Sequence, residues 1–366
     1  MEFIVNREIV LPALNKVTGV VDRRQTLPIL GHLLVVARDG RVSLTGTDLE
    51  VEVKTSFEAE ILQEGETTTP ARKLFDICRQ LSEGAEIRFR LRDERCVITA
   101  GRGRFTLGQL PATDFPIMDL PADGFDFQIQ EGQLKHVLDK TAFAMAQQDV
   151  RYYLNGLLLE LKADALIAVA TDGHRLAKFV TPLDLALDTE RQGIVPSKTV
   201  MELKRQLGGS DAPVALRLSE RSLRVVVGTM TLTSKLIDGR YPDYERVIPG
   251  RDGGMAIVEK DALRRALSRV SIFSNEKYRA VRLDFEPGRL KLLAHNPEQE
   301  EAEEEIELDY AGKPISIGFN VDYLMDVLGA IDAPAVSLYF QDANSSSLWR
   351  GADSESETFV VMPMRL

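Results

Sequence analysis

Thr45-Gly46-Thr47-Asp48-Leu49-Glu50, Ala170-Thr171-Asp172-Gly173-His174-Arg175 and Ala294-His295-Asn296-Pro297-Glu298 are three weak versions of one pattern, centred on Asp48, Asp172 and Asn296. The centres lie 124 residues apart in both intervals. Other features keep the same register. Pro70-Ala71-Arg72-Lys73-Leu74 opens an apolar-periodic run that ends at Leu81. Pro196-Ser197-Lys198-Thr199-Val200 opens a matching run ending at Leu207, and Phe319-Asn320-Val321-Asp322-Tyr323-Leu324 opens a third. A unit of about 120 residues is the size of a domain, far beyond solenoid repeats of up to about 50 residues. Three similar domains in series point to a modular object rather than to one deep active site.

Each third follows one recipe. A short strand (Phe3–Val5, Phe125–Ile129) leads into a helix with apolar residues at helical spacing, such as Leu134, Val137, Leu138 and Ala142. Strand pairs follow: Leu33–Ala37 with Val42–Thr45, Leu157–Leu161 with Leu166–Ala170, and Val281–Phe285 with Leu290–Ala294. Their turns are Asp39-Gly40, Ala163-Asp164 and Pro287-Gly288. A second helix comes next. The closing strands are Ile87–Arg92 with Cys96–Ala100, Val214–Leu218 with Leu223–Val227, and Val336–Phe340 with Thr358–Met362. The expected class is α+β, three similar domains each with two helices packed on antiparallel sheets. Proline-rich linkers at 111–116 and 238–244 place the domains at 1–122, 123–247 and 248–366.

Composition excludes several classes. The chain of 366 residues is 44% hydrophobic and 28% charged, ordinary for a globular protein. No apolar run of 18 residues predicts a membrane span, and Met1 to Arg7 does not read as a secretory signal. Cys78 and Cys96 make no disulfide framework, and His32, His136, His174 and His295 show no metal spacing, so no metal or cofactor is expected. A reducing cytoplasm is the simplest home. Net charge is −11, yet six candidate helices (7–19, 72–81, 131–141, 198–207, 259–270, 320–330) carry fourteen Lys/Arg against nine Asp/Glu. Their net of +5 leaves −16 for the rest. Gathered on one face, those helices would steer a polyanion to that face and repel it elsewhere. Asp172 and His174 allow an acid–base reading, but nothing in the spacing brings a nucleophile to them.

Several unrepeated stretches are specific together: Gly46 to Glu50, Asp149-Val150-Arg151-Tyr152-Tyr153-Leu154-Asn155-Gly156, Ala170 to Ala177, Asp238 to Pro249, Ser274 to Arg279, Asn296 to Glu304, and Val360-Val361-Met362-Pro363-Met364-Arg365-Leu366. The chain resembles, over its whole length and in order, the bacterial DNA polymerase III β subunit family of replicative sliding clamps. That resemblance implies the DNA clamp fold and a ring-forming head-to-tail homodimer. Twelve helices would line the ring, with double-stranded DNA encircled independently of its sequence. It implies a processivity factor without catalysis of its own, working in the cytoplasm at the nucleoid. Its partners would be the DNA polymerase III alpha subunit, the clamp loader, other DNA polymerases and mismatch-repair proteins.

Site residues follow in three groups. Candidate DNA contacts are Arg23, Arg24, Arg72, Lys73, Gln148, Tyr152, Tyr153, Lys198, Lys204 and Arg205; the family's DNA contacts match Arg24, Gln148, Tyr152 and Tyr153. If Tyr152 and Tyr153 lie on a strand, one faces inward and the other faces solvent. The resemblance places a hydrophobic cleft for partner peptides at Leu154, Thr171, Gly173, His174, Arg175, Leu176, Pro242 and Val247. The apolar tail Val360, Val361, Met362, Pro363, Met364, Arg365 and Leu366 joins it, with Thr358–Val361 as a core strand and Pro363 unable to continue the pairing. Dimer closure needs two different complementary patches. Residues 296–309 carry eight acids and no base, including Glu298, Glu300, Glu301, Glu303 and Glu304; residues 88–104 carry six arginines, including Arg95, Arg102 and Arg104. Lys73 joins this interface, with Phe105, Ile272 and Phe273 as its apolar centre by resemblance.

Overall fold

The computed structural model describes residues 1–21, 27–119 and 123–365. Arg23 and Arg24, Leu366 and the boundary residue Ala122 lie outside the described residues. Six α-helices occur among those residues: α1 (Arg7–Thr18), α2 (Ala71–Gln80), α3 (Glu131–Thr141), α4 (Ser197–Gln206), α5 (Lys260–Val270) and α6 (Val321–Ala330). Each begins and ends within about a residue or two of its expected span. The chain divides into two compact units, Met1–Gly132 with Met201–Leu236, and Gln133–Val200 with Ile237–Leu366. The middle third of the sequence contributes to both.

The first unit holds two antiparallel sheets. The smaller runs in the order Glu60–Gln63, Glu2–Asn6, Glu86–Arg92, Arg95–Ala100, Gly103–Gly108. The larger has eight strands: Phe125–Gln130, Pro213–Leu218, Ser222–Val227, Met230–Lys235, Val51–Glu58, Arg41–Thr47, His32–Arg38 and Gly65–Pro70. Its two halves come from different sequence repeats and join where Met230–Ser234 pair with Val51–Thr55. Helix α1 packs Leu14 and Val17 inward, both fully buried. Its C-terminal carbonyls are capped from α4: Arg205 Nη1 donates to Asn15 O (2.9 Å), while Arg205 Nη2 (3.1 Å) and Gln206 Nε2 (3.0 Å) donate to Lys16 O. A cation at a helix C-terminus also complements the helix dipole. Arg205 therefore serves a structural joint at the end of α1.

The second unit repeats the scheme. Its eight-stranded sheet runs Arg191–Pro196, Gly156–Lys162, Ala165–Thr171, Arg175–Pro182, Glu357–Val361, Ser347–Gly351, Ala335–Phe340 and Gly254–Glu259. The repeats join where Arg175–Phe179 pair with Glu357–Val361. A four-stranded sheet runs Glu301–Glu307, Arg289–His295, Ala280–Glu286, Ile315–Asn320. Trp349 and Phe319 are fully buried, and their rings meet edge to face at 5.9 Å.

The 124-residue recurrence has a backbone cause. Each centre follows a strand and turns the chain into the next one. Asp48 Oδ1 accepts the Glu50 and Val51 amides at 2.9 and 2.7 Å. Asp172 Oδ1 accepts those of His174 and Arg175 at 2.9 and 3.0 Å. Asn296 Oδ1 accepts that of Glu300 at 2.9 Å, closing a wider turn. Short Asx side chains do this where the backbone would otherwise lack a partner.

The stretch expected as a linker, 238–244, is packed rather than loose. Tyr241 and Tyr244 are buried and pack into the same apolar cluster as Leu154, Leu176 and Val360. Sequence patterning also missed strands such as Val51–Glu58, Gly65–Pro70 and the acidic Glu301–Glu307, whose apolar content is low, and the more apolar Arg175–Pro182.

One buried ion cluster joins helix ends to the sheet of the second unit. Lys140 of α3 is 4% exposed at its side chain; it donates to the Ala330 carbonyl that ends α6, meets Glu357 Oε2 at 3.1 Å and Asp332 Oδ2 at 2.8 Å. Glu357, equally buried, also accepts the Gly351 amide at 2.9 Å. Removing one partner of such a pair strands the other charge without water. Lys140→Met is expected to destabilise the second unit by about 3–5 kcal/mol, seen as a lower urea midpoint. Adding Glu357→Gln to it should recover part of the loss.

Candidate functional site

The cleft is built on the strand pairing that joins repeats in the second unit. Leu176 and Val360 are cross-strand partners and, with Leu154, form its buried floor. One rim is Pro242 with Val247, which is 55% exposed on the short 3-10 turn Tyr244–Val247. Met362, 46% exposed, also lines the cavity, and its amide donates to His174 O at 2.9 Å. Thr171, Gly173, His174 and Arg175 also line the cavity, which measures about 420 Å³. Concave, mostly apolar walls with a few charged groups at the mouth suit a small apolar segment.

Local geometry fixes these rims. Gly173 has φ +86°, a left-handed backbone conformation that favours glycine, and it lies against the Arg151 guanidinium. Thr171 Oγ1 donates to Arg175 O (2.6 Å) and accepts the Gly173 amide (3.1 Å). Arg175 is clamped: it donates to Asp172 Oδ2 (3.2 Å), Asp326 Oδ2 (2.5 Å) and Phe143 O (2.8 Å), and its guanidinium lies 4.5 Å from the Tyr323 ring centroid. Asp172 is thus spent on backbone amides and Arg175. The His174 ring stacks towards Tyr323 at 6.3 Å rather than pairing with Asp172 as an acid–base couple.

The tail divides between two places, which corrects the expectation of one continuous lining. Val360 and Met362 face the cleft, and Val361 points into the core, fully buried. Met364 donates its amide to Gly318 O at 2.8 Å, and with Arg365 it borders a separate cavity over Tyr278, Arg282 and Leu293. Pro363 between them is half-buried.

The segment before the cleft holds three candidate DNA contacts. Asn155 clasps it, with Oδ1 accepting the Asp149 amide (2.9 Å) and Nδ2 donating to Asp149 O (2.9 Å). Arg151 holds the Asp149 carboxylate at 2.8–3.0 Å and brings its pKa down to about 2. Gln148 is exposed with φ +54°. Tyr152 is 57% exposed and Tyr153 packs against the core, as expected, but on a 3-10 turn (Tyr152–Leu154) rather than a strand. Lys198 is exposed in this unit; in the first unit Arg72 and Lys73 are exposed on α2, with Arg72 donating to Val21 O at 3.2 Å.

Each unit also presents a charged edge. In the first, Gly103–Gly108 is an edge strand carrying Arg104 and half-buried Phe105, with Arg95 and Arg102 exposed beside it. Arg88 and Arg90 are already paired with Glu2, so the basic patch is smaller than its six arginines suggested. In the second, Glu301–Glu307 is an edge strand, with Glu298 and Glu300 exposed in the turn before it. Glu303 meets Lys291 at 2.7 Å, and Glu304 is held by Arg269, which lowers its pKa. Ile272 is 75% exposed and Phe273 half-buried in the turn Ser271–Phe273.

Residue patterning missed Arg151, Tyr244, Arg246 and Ser346 of the cleft wall and the Tyr323–Asp326 clamp on Arg175. The only available signal was position: Tyr323 and Asp326 are one turn apart on α6.

Comparison with known proteins agrees over the whole chain. Family models match residues 1–119 as the DNA polymerase III beta subunit N-terminal domain, 128–243 as its central domain and 245–365 as its C-terminal domain. The Beta sliding clamps of Pseudomonas aeruginosa and Escherichia coli K12 are 48% and 46% identical, each aligned over 100% of both chains. The crystal structure of the DNA polymerase III subunit beta from Pseudomonas aeruginosa superposes with a TM-score of 0.96 at 48% identity, covering 100% of each chain. That of the Caulobacter crescentus sliding clamp gives 0.95 at 38%, again covering 100% of each chain. With this match in all three parts and in order, the chain belongs to the DNA polymerase III beta subunit family, the beta sliding clamps.

Proposed function

We propose that two copies of this chain close head to tail into a ring around double-stranded DNA in the cytoplasm, at the nucleoid. The ring holds the replicative polymerase on its template, and each copy offers the cleft to short apolar peptides of the polymerase alpha subunit, the clamp loader, other polymerases and mismatch-repair proteins. The observation that carries this reading is the cleft: a preformed, mostly apolar cavity of about 420 Å³ lined in part by the exposed Val247 and Met362. The domains would run 1–122, 123–247 and 248–366.

A ring holds DNA by topology, so strong local binding is unnecessary and would slow sliding. Arg72, Lys73, Gln148, Tyr152, Tyr153 and Lys198 carry charge or hydrogen-bonding groups suited to phosphates, which position a duplex without reading its sequence. Arg24 belongs to the same proposed set by resemblance. Two different unpaired edge strands, one basic and one acidic, fit a heterologous contact, since open edges otherwise invite uncontrolled pairing. Phe105, Ile272 and Phe273 supply its apolar centre, with Lys73, Arg95, Arg102 and Arg104 facing Glu298, Glu300, Glu301, Glu303 and Glu304. Rim charges of this kind set orientation and association rate more than affinity.

Three outcomes are expected. Loaded by a clamp loader onto nicked circular DNA, the protein should stay bound through gel filtration and leave when the circle is cut; equal loss from intact circles would refute encirclement. Ile272→Ala with Phe273→Ala should sediment as a folded monomer at concentrations where the parent is a dimer. Met362→Asp should weaken a fluorescent apolar hexapeptide by about tenfold or more, the cost of a charge on an apolar wall, whereas Met364→Asp should change its polarisation titration much less.

A further inference from the structure

Away from the cleft, the solvent face of the first unit's large sheet carries an unexplained pair of cations. Arg217 and Arg224 sit directly opposite each other on the neighbouring strands Pro213–Leu218 and Ser222–Val227. Like charges at directly opposed positions repel. Only one is compensated: Arg217 Nη2 donates to Asp126 Oδ2 at 2.9 Å, from the strand on its other side. Arg224 has no hydrogen bond or ion pair among the described residues. The Nε atoms of both arginines are shielded from solvent and lack acceptors. An unsatisfied buried donor is costly, more so when it is charged.

These groups surround a cavity of about 330 Å³. Strand alternation puts Gln128, Ala215 and Val226 on the same face as the two arginines, in the next cross-strand row, and the small Ala215 leaves room beside them. Two arginines against one carboxylate leave one positive charge uncompensated. The two guanidinium groups border the cavity from adjacent strands, which run about 4.8 Å apart, a gap that one anion with several acceptor oxygens can bridge. Gln128 adds an amide donor at the edge.

We propose that this cavity is a binding site for a phosphate group, either free or as a phosphomonoester, held between Arg217 and Arg224. Arginine forks match the planar pairs of oxygens that phosphate presents. The site does not depend on the clamp function.

The test uses the full-length protein with methyl-labelled alanine and valine, so that Ala215 and Val226 report from the cavity itself. Inorganic phosphate is titrated with chloride balancing ionic strength. Saturable shifts at both methyls are expected, weakened about tenfold or more by Arg224→Gln, the loss of a charged hydrogen-bond donor. Ala215→Leu, which fills the cavity and keeps both guanidiniums, should abolish saturation, judged from Val226. A parallel titration with adenosine monophosphate distinguishes the sources: equal affinity assigns the site to free phosphate, and tighter binding to a phosphomonoester. Linear shifts without saturation, or the same affinity in both variants, would overturn the proposal.

Discussion

The main-chain ladder between Arg175–Phe179 and Glu357–Val361 is the constraint on which the candidate site rests. It ties a strand of the second repeat to the last strand of the third, and so brings Val360 beside Leu176. The floor of the cleft and the place of Met362 follow from that register. Met362 continues the ladder by one hydrogen bond to His174 O, which sets it on the rim. A slip of one residue would turn Val360 to the opposite face and expose the buried Val361. The first unit uses the same device, joining Met230–Ser234 to Val51–Thr55. Paired in this way, strands from successive repeats share one sheet, and a sequence repeat does not coincide with a compact body.

Charge within the site is arranged for stiffness. Arg175 is held by two carboxylates, a carbonyl and an aromatic face, leaving its guanidinium little freedom. Tyr244 is packed in the same cluster and donates its phenol to Glu160 at 2.5 Å. Burial first, and then the neighbouring Glu160 carboxylate, push its pKa up, so the phenol remains a donor at ordinary pH. A wall made of such fixed groups is preorganised, and binding to it costs little ordering entropy. The exposed Val247 and Met362 are the adaptable parts, methionine in particular being able to follow different ligands.

Elements with strong apolar periodicity were legible in the sequence: all six helices, and core strands such as Leu157–Leu161 and Leu166–Ala170. Strands rich in polar residues were not. Glu301–Glu307 alternates half-buried and exposed positions, but its inward residues include Glu304, whose partner Arg269 lies 35 residues away. Counting charges found the acidic and basic stretches, yet it could not see that Glu2 neutralises Arg88 and Arg90 across a sheet. The tail shows a subtler failure. Pro363 does lack an N–H, but the ladder skips that residue: Met362 and Met364 donate on either side of it, to His174 and to Gly318. The segment therefore stays anchored while its side chains part into different cavities. The residues of the cleft were named through family resemblance, because their convergence from 154 to 362 is a tertiary fact with no local signal.

The Lys140–Glu357 cluster carries a consequence for heat. Hydration of charged groups becomes less favourable as temperature rises, so the cost of keeping these ions from water falls. Apolar packing around them gains little over the same range. The joint where α3, the end of α6 and the last strand meet therefore strengthens relative to its surroundings on warming. Since that strand also carries Val360, the floor of the cleft is anchored at a point that should be among the last parts of the second unit to loosen.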